Sequence, residues 1–211
     1  DDVTGVGTSR QGLAAASYGL DKAIFGYGTT GSYSSLTNLV SSSGVVATDT
    51  TGVGTARGYV AGVSYGGDKA LFAYGYTGSN VSMSNLISNL GVVSADVTGV
   101  GTARGYLAAA SYDTDKAIFG YGYNGSANLS MSNLVSNNGI VASDVSGVGT
   151  ARRQLGAAGY GGDKAIFAYG KAGAFTSIKN LVNSSGVIAA DVTGVGTARE
   201  AIAAAGYSIS A

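Results

Sequence analysis

The sequence predicts an all-β fold in which each repeat of 47 or 48 residues forms one four-stranded sheet. The tract at residues 4–10, TGVGTSR, returns four times with small changes, and the tract at residues 21–28, DKAIFGYG, returns three times at steps of 47, 47 and 48 residues. Glycine is abundant, with 36 residues, and proline is absent, while Val, Tyr, Ser and Thr are frequent. This composition favours strands joined by tight turns.

The four strands of a repeat follow in order from its apolar runs and turn residues, as residues 104–152 illustrate. An apolar run predicts a first strand that ends at Tyr112, and residues 113–114 predict a hairpin turn because Asp tolerates a positive φ. The tract DKAIFGYG then predicts a second strand. After a polar loop, SNLVS predicts a short third strand, and residues 138–139, Asn-Gly, turn the chain into a fourth.

The first two strands of each repeat are apolar on both faces, which is typical of sheets packed between neighbours. The second strand carries a phenylalanine followed two positions later by a tyrosine. These aromatic residues are Phe25 and Tyr27, Phe72 and Tyr74, Phe119 and Tyr121, and Phe167 and Tyr169. Side chains two apart on a strand share a face. Each sheet is therefore predicted to offer an aromatic pair to its neighbour.

This order of elements resembles the kelch-type repeat over the whole chain. An arginine, a small-apolar strand, a hairpin, an aromatic strand ending in glycine, a loop and two further strands carry the resemblance. The paired glycines appear as Gly-Tyr-Gly or Ala-Tyr-Gly, and the usual outer-strand tryptophan is missing. The resemblance implies a β-propeller with one blade per repeat. The low-complexity style of tracts such as NLVSNNGIVASDVSGVGTAR is similar to that of repetitive structural proteins of phages and environmental viruses, which implies a virion or fibre surface component.

We interpret residues 1–211 as a single repeat domain. Its units are a first strand with repeat 1 (1–47), repeat 2 (48–94), repeat 3 (95–142), repeat 4 (143–189) and a terminal half repeat (190–211). The arginine tract and the first strand occur five times, whereas the second and third strands occur four times. This predicts four full blades and a split or partial fifth blade, whose strands near 1–7 and 201–209 would share a sheet.

The incomplete fifth blade leaves three interpretations open. The chain is a five-bladed ring with a minimal last blade, a part of a larger propeller, or a subunit whose blade is completed by a neighbour. An unpaired edge strand is a template for pairing, so the third interpretation predicts an oligomer or a filament.

The repeat also carries charges, because an aspartate precedes each tract arginine by eight residues. The set is Arg10, Arg57, Arg104, Arg152 and Arg199 with Asp49, Asp96, Asp144 and Asp191. One interpretation is a ring of carboxylates for metal binding or acid–base chemistry. The other is a structural ion pair, or an arginine that caps carbonyl groups, which joins one blade to the next. Balanced sets of charges favour the structural role, because buried charges need partners.

The composition excludes several classes of function. The 12 basic and 12 acidic residues give zero net charge and no basic patch for nucleic acid, and no apolar run approaches the roughly 18 residues of a membrane span. Histidine and cysteine are absent, which excludes Ser-His-Asp and Cys-His catalysis and a copper radical site. A glycosidase needs two carboxylates that break the repeat, and only Asp1, Asp113 and Glu200 do so. We therefore expect no enzyme, cofactor or metal site.

Variable residues after each arginine and after each second strand are predicted to meet at one end of the blades. They are Tyr33, Tyr59, Tyr76, Tyr106, Tyr123, Arg153, Lys171 and Phe175. Loops on a rigid scaffold often carry recognition, and aromatic rings beside Asn and Ser suit stacking on sugars. The alternative is neutral drift in exposed loops. Four sites match the glycosylation sequon, namely Asn80, Asn124, Asn128 and Asn183.

These observations predict a non-enzymatic structural or adhesive propeller of a virion or extracellular fibre. Its expected partners are copies of itself or neighbouring fibre or virion subunits, and glycans are a further candidate ligand. The alternative function is a carbohydrate-binding, lectin-like propeller. A propeller enzyme is the third and least favoured interpretation.

Overall fold

The computed structural model describes residues 4–206 and confirms the all-β class, with twelve strands and no helix in that range. Consequently this part of the chain contains no helix that could span a membrane. The first strands of the four repeats are β1 (Ala14–Tyr18), β4 (Ala61–Tyr65), β7 (Ala108–Tyr112) and β10 (Gly156–Tyr160). The second strands are β2 (Lys22–Gly26), β5 (Lys69–Ala73), β8 (Lys116–Gly120) and β11 (Lys164–Ala168). The third strands are β3 (Thr37–Val40), β6 (Ser84–Ile87), β9 (Ser132–Val135) and β12 (Lys179–Val182).

Each repeat forms one antiparallel sheet of three strands in sequence order. All four sheets have the same register, in which the phenylalanine of the central strand lies between a small residue and an asparagine. In the third sheet, Phe119 lies opposite Ala109 on β7 and Asn133 on β9. Because directly opposed residues share a face of a sheet, the register places a polar amide beside each aromatic ring.

The predicted fourth strand is present only as isolated pairings with the third strand. In the first repeat, Val46 pairs with Val40 and Thr50 pairs with Thr37. Three residues separate the pairings on the outer segment but only two on β3, so the outer segment contains a β-bulge. The sheets therefore have three regular strands rather than the four that were predicted, because the bulge interrupts the outer ladder.

Consecutive sheets pack on one another through their first strands, β1 on β4, β4 on β7 and β7 on β10. Equivalent residues of successive repeats are linked by backbone hydrogen bonds. The N–H of Tyr59 donates to the carbonyl of Gly12 at 2.7 Å, and the N–H of Gln154 donates to the carbonyl of Tyr106 at 2.9 Å. Within residues 4–206, β1 and β10 do not pack together in this way. The sheets therefore form a continuous series from first to fourth.

The aromatic core lies between sheets, but its arrangement differs from the predicted one. Phe72 packs edge-to-face on Tyr27 of the preceding sheet, with ring centroids 5.4 Å apart, whereas Tyr74 packs on Phe119 of the following sheet at 5.3 Å. The prediction that the two aromatics of one strand share a face is wrong. Tyr74 follows the end of β5 with a φ of 63°, and this left-handed backbone breaks the strand alternation.

The predicted terminal strands are absent from the described parts of the termini. Residues 4–7 and 201–206 form no strand, and the rest of the two predicted segments lies outside the described residues. The side chain of Ile202 nevertheless lies against Gly156 of β10. The described part of the fifth copy thus covers part of the last sheet, although residues 201–206 form no strand.

Candidate functional site

The arginine of each repeat is the centre of a buried hydrogen-bond network. Arg104 is 0% exposed. Its Nε donates to the carbonyl of Tyr121 at 2.8 Å, its Nη1 to the carbonyl of Thr102 at 3.1 Å, and its Nη2 to Oδ1 of Asn133 at 2.6 Å. All of the acceptors come from the same repeat, so the arginine ties the start of the repeat to its second and third strands.

Arg57 makes the same three bonds, to Tyr74, Thr55 and Asn85. Arg152 departs from this pattern, because its Nη2 turns to the carbonyl of Phe167 at 3.4 Å and Oδ1 of Asn180 is left buried without a partner.

A carboxylate completes this network on its solvent side. Asp144 accepts hydrogen bonds from Nδ2 of Asn133 at 2.9 Å and from the hydroxyl of Thr102 at 2.7 Å, and its Oδ1 lies 3.8 Å from Nη1 of Arg104. The ion-pair partner of Arg10, Arg57 and Arg104 is therefore the aspartate 39 or 40 residues later, not the one eight residues earlier. Asp96, eight residues before Arg104, contacts Arg57 instead.

The arginine also joins each sheet to the preceding one. The guanidinium carbon of Arg104 lies 4.3 Å from the ring centroid of Tyr74, and the carbonyl of Arg104 accepts a hydrogen bond from the N–H of Gly75 at 2.9 Å. The same contact over a tyrosine ring recurs in Arg57 with Tyr27, Arg152 with Tyr121 and Arg199 with Tyr169. A cation over an aromatic face is stabilising, more so where water is excluded. This geometry uses the repeated charges to hold sheets together.

The Gly-Val-Gly-Thr turn supplies the backbone that binds the carboxylate. Gly101 has a φ of 74°, and a Cβ atom at this position would collide with Asp144 and Asn133. Glycine is therefore required for two independent reasons. The N–H of Thr102 donates to Oδ2 of Asp144 at 2.9 Å. The protein's own carboxylate thus occupies the anion-binding geometry of this loop.

The bound aspartates make stability depend on pH. Burial acts to raise the pKa of Asp144, but hydrogen bonds from Thr102 and Asn133 and the charge of Arg104 outweigh it, so the pKa lies below the ordinary value of 3.8. The pKa values of Asp96 and Asp191 are lowered in the same way. A carboxylate with a lowered pKa stabilises the folded state above its unfolded pKa, and this contribution is lost as pH falls through the folded pKa.

We therefore expect the free energy of unfolding to be steady near neutral pH and to fall steeply below about pH 4, because several equivalent aspartates take up protons together. Denaturant titrations at a series of pH values measure this dependence. Asp144→Asn should be less stable at pH 7 and should show a flatter acid dependence than the parent chain. Parallel curves for the two proteins would contradict the prediction.

The variable loops form a second cluster, which is positioned by backbone pairings at the end of each sheet. In the second repeat, Gly58 pairs with Tyr76, and Tyr76 pairs with Asn80. The residue after each arginine therefore lies beside the loop that follows the second strand, as the sequence predicts. Equivalent pairings occur in all four repeats.

Four tyrosines from three successive repeats meet at this end. The rings of Tyr59 and Tyr106 are stacked, with centroids 4.2 Å apart and an interplanar angle of 25°. Tyr33 and Tyr76 meet edge-to-face at 5.9 Å. All four side chains are half-buried. Partial burial, together with the Tyr59 phenol, raises the pKa of Tyr106 to about 12, so its hydroxyl keeps its proton at neutral pH.

The cationic residues continue the same surface. The guanidinium of Arg153 lies over the ring of Tyr123 at 4.7 Å, and Nζ of Lys171 lies 5.5 Å from the ring centroid of Phe175. Arg153 and Lys171 are joined by two backbone hydrogen bonds of 3.1 and 2.9 Å. We call the eight predicted residues the loop band: Tyr33, Tyr59, Tyr76, Tyr106, Tyr123, Arg153, Lys171 and Phe175. The ring contacts and backbone pairings described above place these residues at one end of the sheets.

A cavity of 340 Å³ opens beside the stacked tyrosines and is lined by residues of all five copies. The lining consists of Gly12, Tyr59, Tyr106, Gln154 and Ala201, each with the apolar residue that follows it. Gln154 adds an amide to this wall and is absent from the predicted site. The sequence indicates Gln154 only as the second residue of the variable pair that follows Arg152. The other copies carry glycine, tyrosine or alanine at this position.

The four sequon asparagines differ in environment. Asn183 is exposed, and Asn124, which is half-buried, accepts hydrogen bonds from the backbone of its own loop. Nδ2 of Asn128 donates to the carbonyl of Lys171 at 3.1 Å, and the Asn80 amide lies close to Gly105. A glycan on Asn128 would break its hydrogen bond to the next repeat.

The fold and the loop band together define an all-β repeat protein with an aromatic and cationic surface at one end. Comparisons with protein-family models and with curated proteins find no match for this chain.

Proposed function

We propose that this chain is a non-enzymatic structural or adhesive β-propeller module of a virion or extracellular fibre. The main support is the common cavity, whose wall includes Gly12 of the first copy and Ala201 of the fifth. In a straight stack of sheets, Gly12 and Ala201 would lie four repeats apart. In a propeller the blades surround one axis, so residues of the first and fifth copies line the same central cavity. The repeated charges also support a structural role. The side chain of each buried arginine donates hydrogen bonds within its own repeat, and its guanidinium lies over a tyrosine ring of the preceding sheet.

Each end of the series carries side chains that are covered at the inner junctions but not here. At the first sheet, Phe25 is half-buried, although Phe72 and its other counterparts are fully buried. Nε and Nη1 of Arg10 are buried without hydrogen-bond partners. At the last sheet, Tyr160 is 37% exposed, whereas Tyr112 is 4% exposed. Within residues 4–206, each end therefore lacks a neighbouring sheet of the kind that the inner sheets have.

A copy of this chain, or a neighbouring fibre or virion subunit, fits these ends by its chemistry. The first sheet needs an aromatic ring over Arg10 and Phe25, which a tyrosine supplies at each inner junction. The last sheet needs apolar cover for Tyr160. A contact between the first sheet of one copy and the last sheet of another joins two different surfaces, so it is head-to-tail and leads to a ring or a filament.

We expect the protein to sediment as an assembly whose mass increases with concentration. Tyr160→Ser should reduce assembly without unfolding the chain, because this side chain is exposed only at the terminal sheet. Val92→Ser is the matched control, since Val92 is 65% exposed but lies on an outer segment away from both ends. Analytical ultracentrifugation at several concentrations measures the result. A monomer at every concentration would contradict assembly through the ends.

Carbohydrate recognition by the loop band is a second candidate function. The stacked pair Tyr59 and Tyr106 supports it, because two half-buried rings beside a cavity resemble the flat aromatic surfaces on which sugars stack. The amide of Gln154 on the same wall adds hydrogen-bonding groups for hydroxyls.

We expect the protein to bind members of a glycan array, and Tyr106→Ala to weaken binding about tenfold, which corresponds to about 1.4 kcal/mol. Leu90→Ala is the control, because it removes an exposed apolar side chain that lies outside the loop band and away from both ends of the series. Titration calorimetry on the best glycan measures both variants. If both substitutions have the same effect, the loop band is not the binding surface.

A further inference from the structure

Two cations on the loop band face each other without a counterion. Arg153 and Lys171 are directly opposed residues whose backbones exchange both hydrogen bonds. Like charges placed opposite each other in a sheet are destabilising. No salt bridge joins either side chain to a carboxylate in residues 4–206, although the lysines of the second strands all have one. Glu200, the fifth-copy equivalent of Arg153, forms none with either residue.

The backbone pairing does not require these cations. The same pairing is made by Gln11 with Thr29, by Gly58 with Tyr76 and by Gly105 with Tyr123. Neutral residues therefore serve the fold equally well at three equivalent positions. The fourth copy alone concentrates two positive charges here. Each lies near an aromatic ring, but neither has a carboxylate partner in residues 4–206.

The pair adjoins the aromatic part of the loop band. The Arg153 guanidinium rests on one face of the Tyr123 ring and makes no hydrogen bond from its side chain within the described residues. The next residue, Gln154, donates its N–H to the carbonyl of Tyr106 and lines the cavity beside the tyrosine stack. A ligand that stacks on Tyr59 and Tyr106 thus has two unpaired cationic side chains at its edge.

We propose that the loop band selects saccharides that carry an acidic group, with Arg153 and Lys171 binding that group while the tyrosines stack on the sugar rings. This inference rests on the carbohydrate-binding function. A planar guanidinium pairs with a carboxylate or a sulfate through two hydrogen bonds, and Lys171 adds a second, mobile charge. The anionic ligand removes the repulsion between the two cations.

The experiment compares matched pairs of oligosaccharides by titration calorimetry, namely lactose with sialyllactose and lactose with sulfated lactose. We expect the acidic member of at least one pair to bind about ten to a hundred times more tightly, the range given by one or two charge-assisted hydrogen bonds. The double variant Arg153→Gln/Lys171→Gln should remove this preference, so that the acidic and neutral members of each pair bind with similar affinity. The preference should also weaken in high salt.

Lys22→Gln is the control, because it removes one positive charge at the hairpin end of β2, opposite to the loop band. Thermal unfolding of Lys22→Gln should match that of the parent chain, and the double variant should unfold at the same temperature or a higher one, because it removes the repulsion between two opposed cations. Equal affinities for neutral and acidic sugars, unchanged by the double substitution, would overturn selection of acidic sugars but leave carbohydrate binding in place. Absence of binding to every sugar would overturn both proposals. If free sulfate binds as tightly as the acidic sugars, the two cations form a simple anion site, and the proposed selection of acidic saccharides is wrong.

Discussion

Replacing Arg104 with leucine is expected to lower the free energy of unfolding by about 3–5 kcal/mol. The substitution leaves three acceptors without their donor, namely the carbonyls of Thr102 and Tyr121 and Oδ1 of Asn133. Unpaired buried acceptors cost about 1–3 kcal/mol each, and part of this cost is relieved where water enters. The Tyr74 ring also loses the cation that lies on it.

The same substitution at Arg10 provides a control within the chain. Arg10 bonds Asn38 and lies 3.9 Å from Asp49, but its Nε and Nη1 have no partners and no tyrosine ring lies over it in the described residues. We therefore expect Arg10→Leu to destabilise the fold clearly less than Arg104→Leu. Equilibrium denaturation of both variants measures the difference. Equal losses would mean that the network around Arg104 adds nothing to the stability of an inner sheet.

Phe119→Ala should destabilise the protein by about 3–5 kcal/mol, the usual effect of removing a large buried aromatic side chain. Phe119 is 0% exposed and packs edge-to-face on Tyr74 with ring centroids 5.3 Å apart. Its core cluster includes residues of two sheets, such as Val63 and Val135. The cavity left by the substitution therefore lies at the junction between sheets, where the strands are held on both sides and cannot easily collapse.

Phe25→Ala is the matched variant for this prediction. Phe25 occupies the same place in the first sheet but is only half-buried, and no tyrosine of a preceding sheet covers it in residues 4–206. Its truncation should cost substantially less than that of Phe119. If Phe119→Ala has a thermal midpoint close to that of the parent chain, the second strands do not form the core between sheets.

Local patterns in the sequence determine the elements of this fold. The apolar runs, the hairpin residues and the Asn-Gly turns recur at a fixed period, and each acts over a few neighbouring residues. They therefore predict the three regular strands of each repeat and the end of the sheet at which the variable loops meet. The eight residues of the loop band follow from the same argument, because a hairpin fixes which loops share an end.

The tertiary structure decided which distant residues meet. Asp96, the aspartate nearest in sequence to Arg104, contacts Arg57 of the preceding repeat. The bulged outer segment brings Asp144 to Arg104 instead. Similarly, the left-handed backbone of Tyr74 turns its ring to the following sheet. Because the sequence repeats, equivalent residues of the inner repeats make similar contacts. Which residues become partners depends on how segments that are distant in sequence align, and on which sheets have a neighbour.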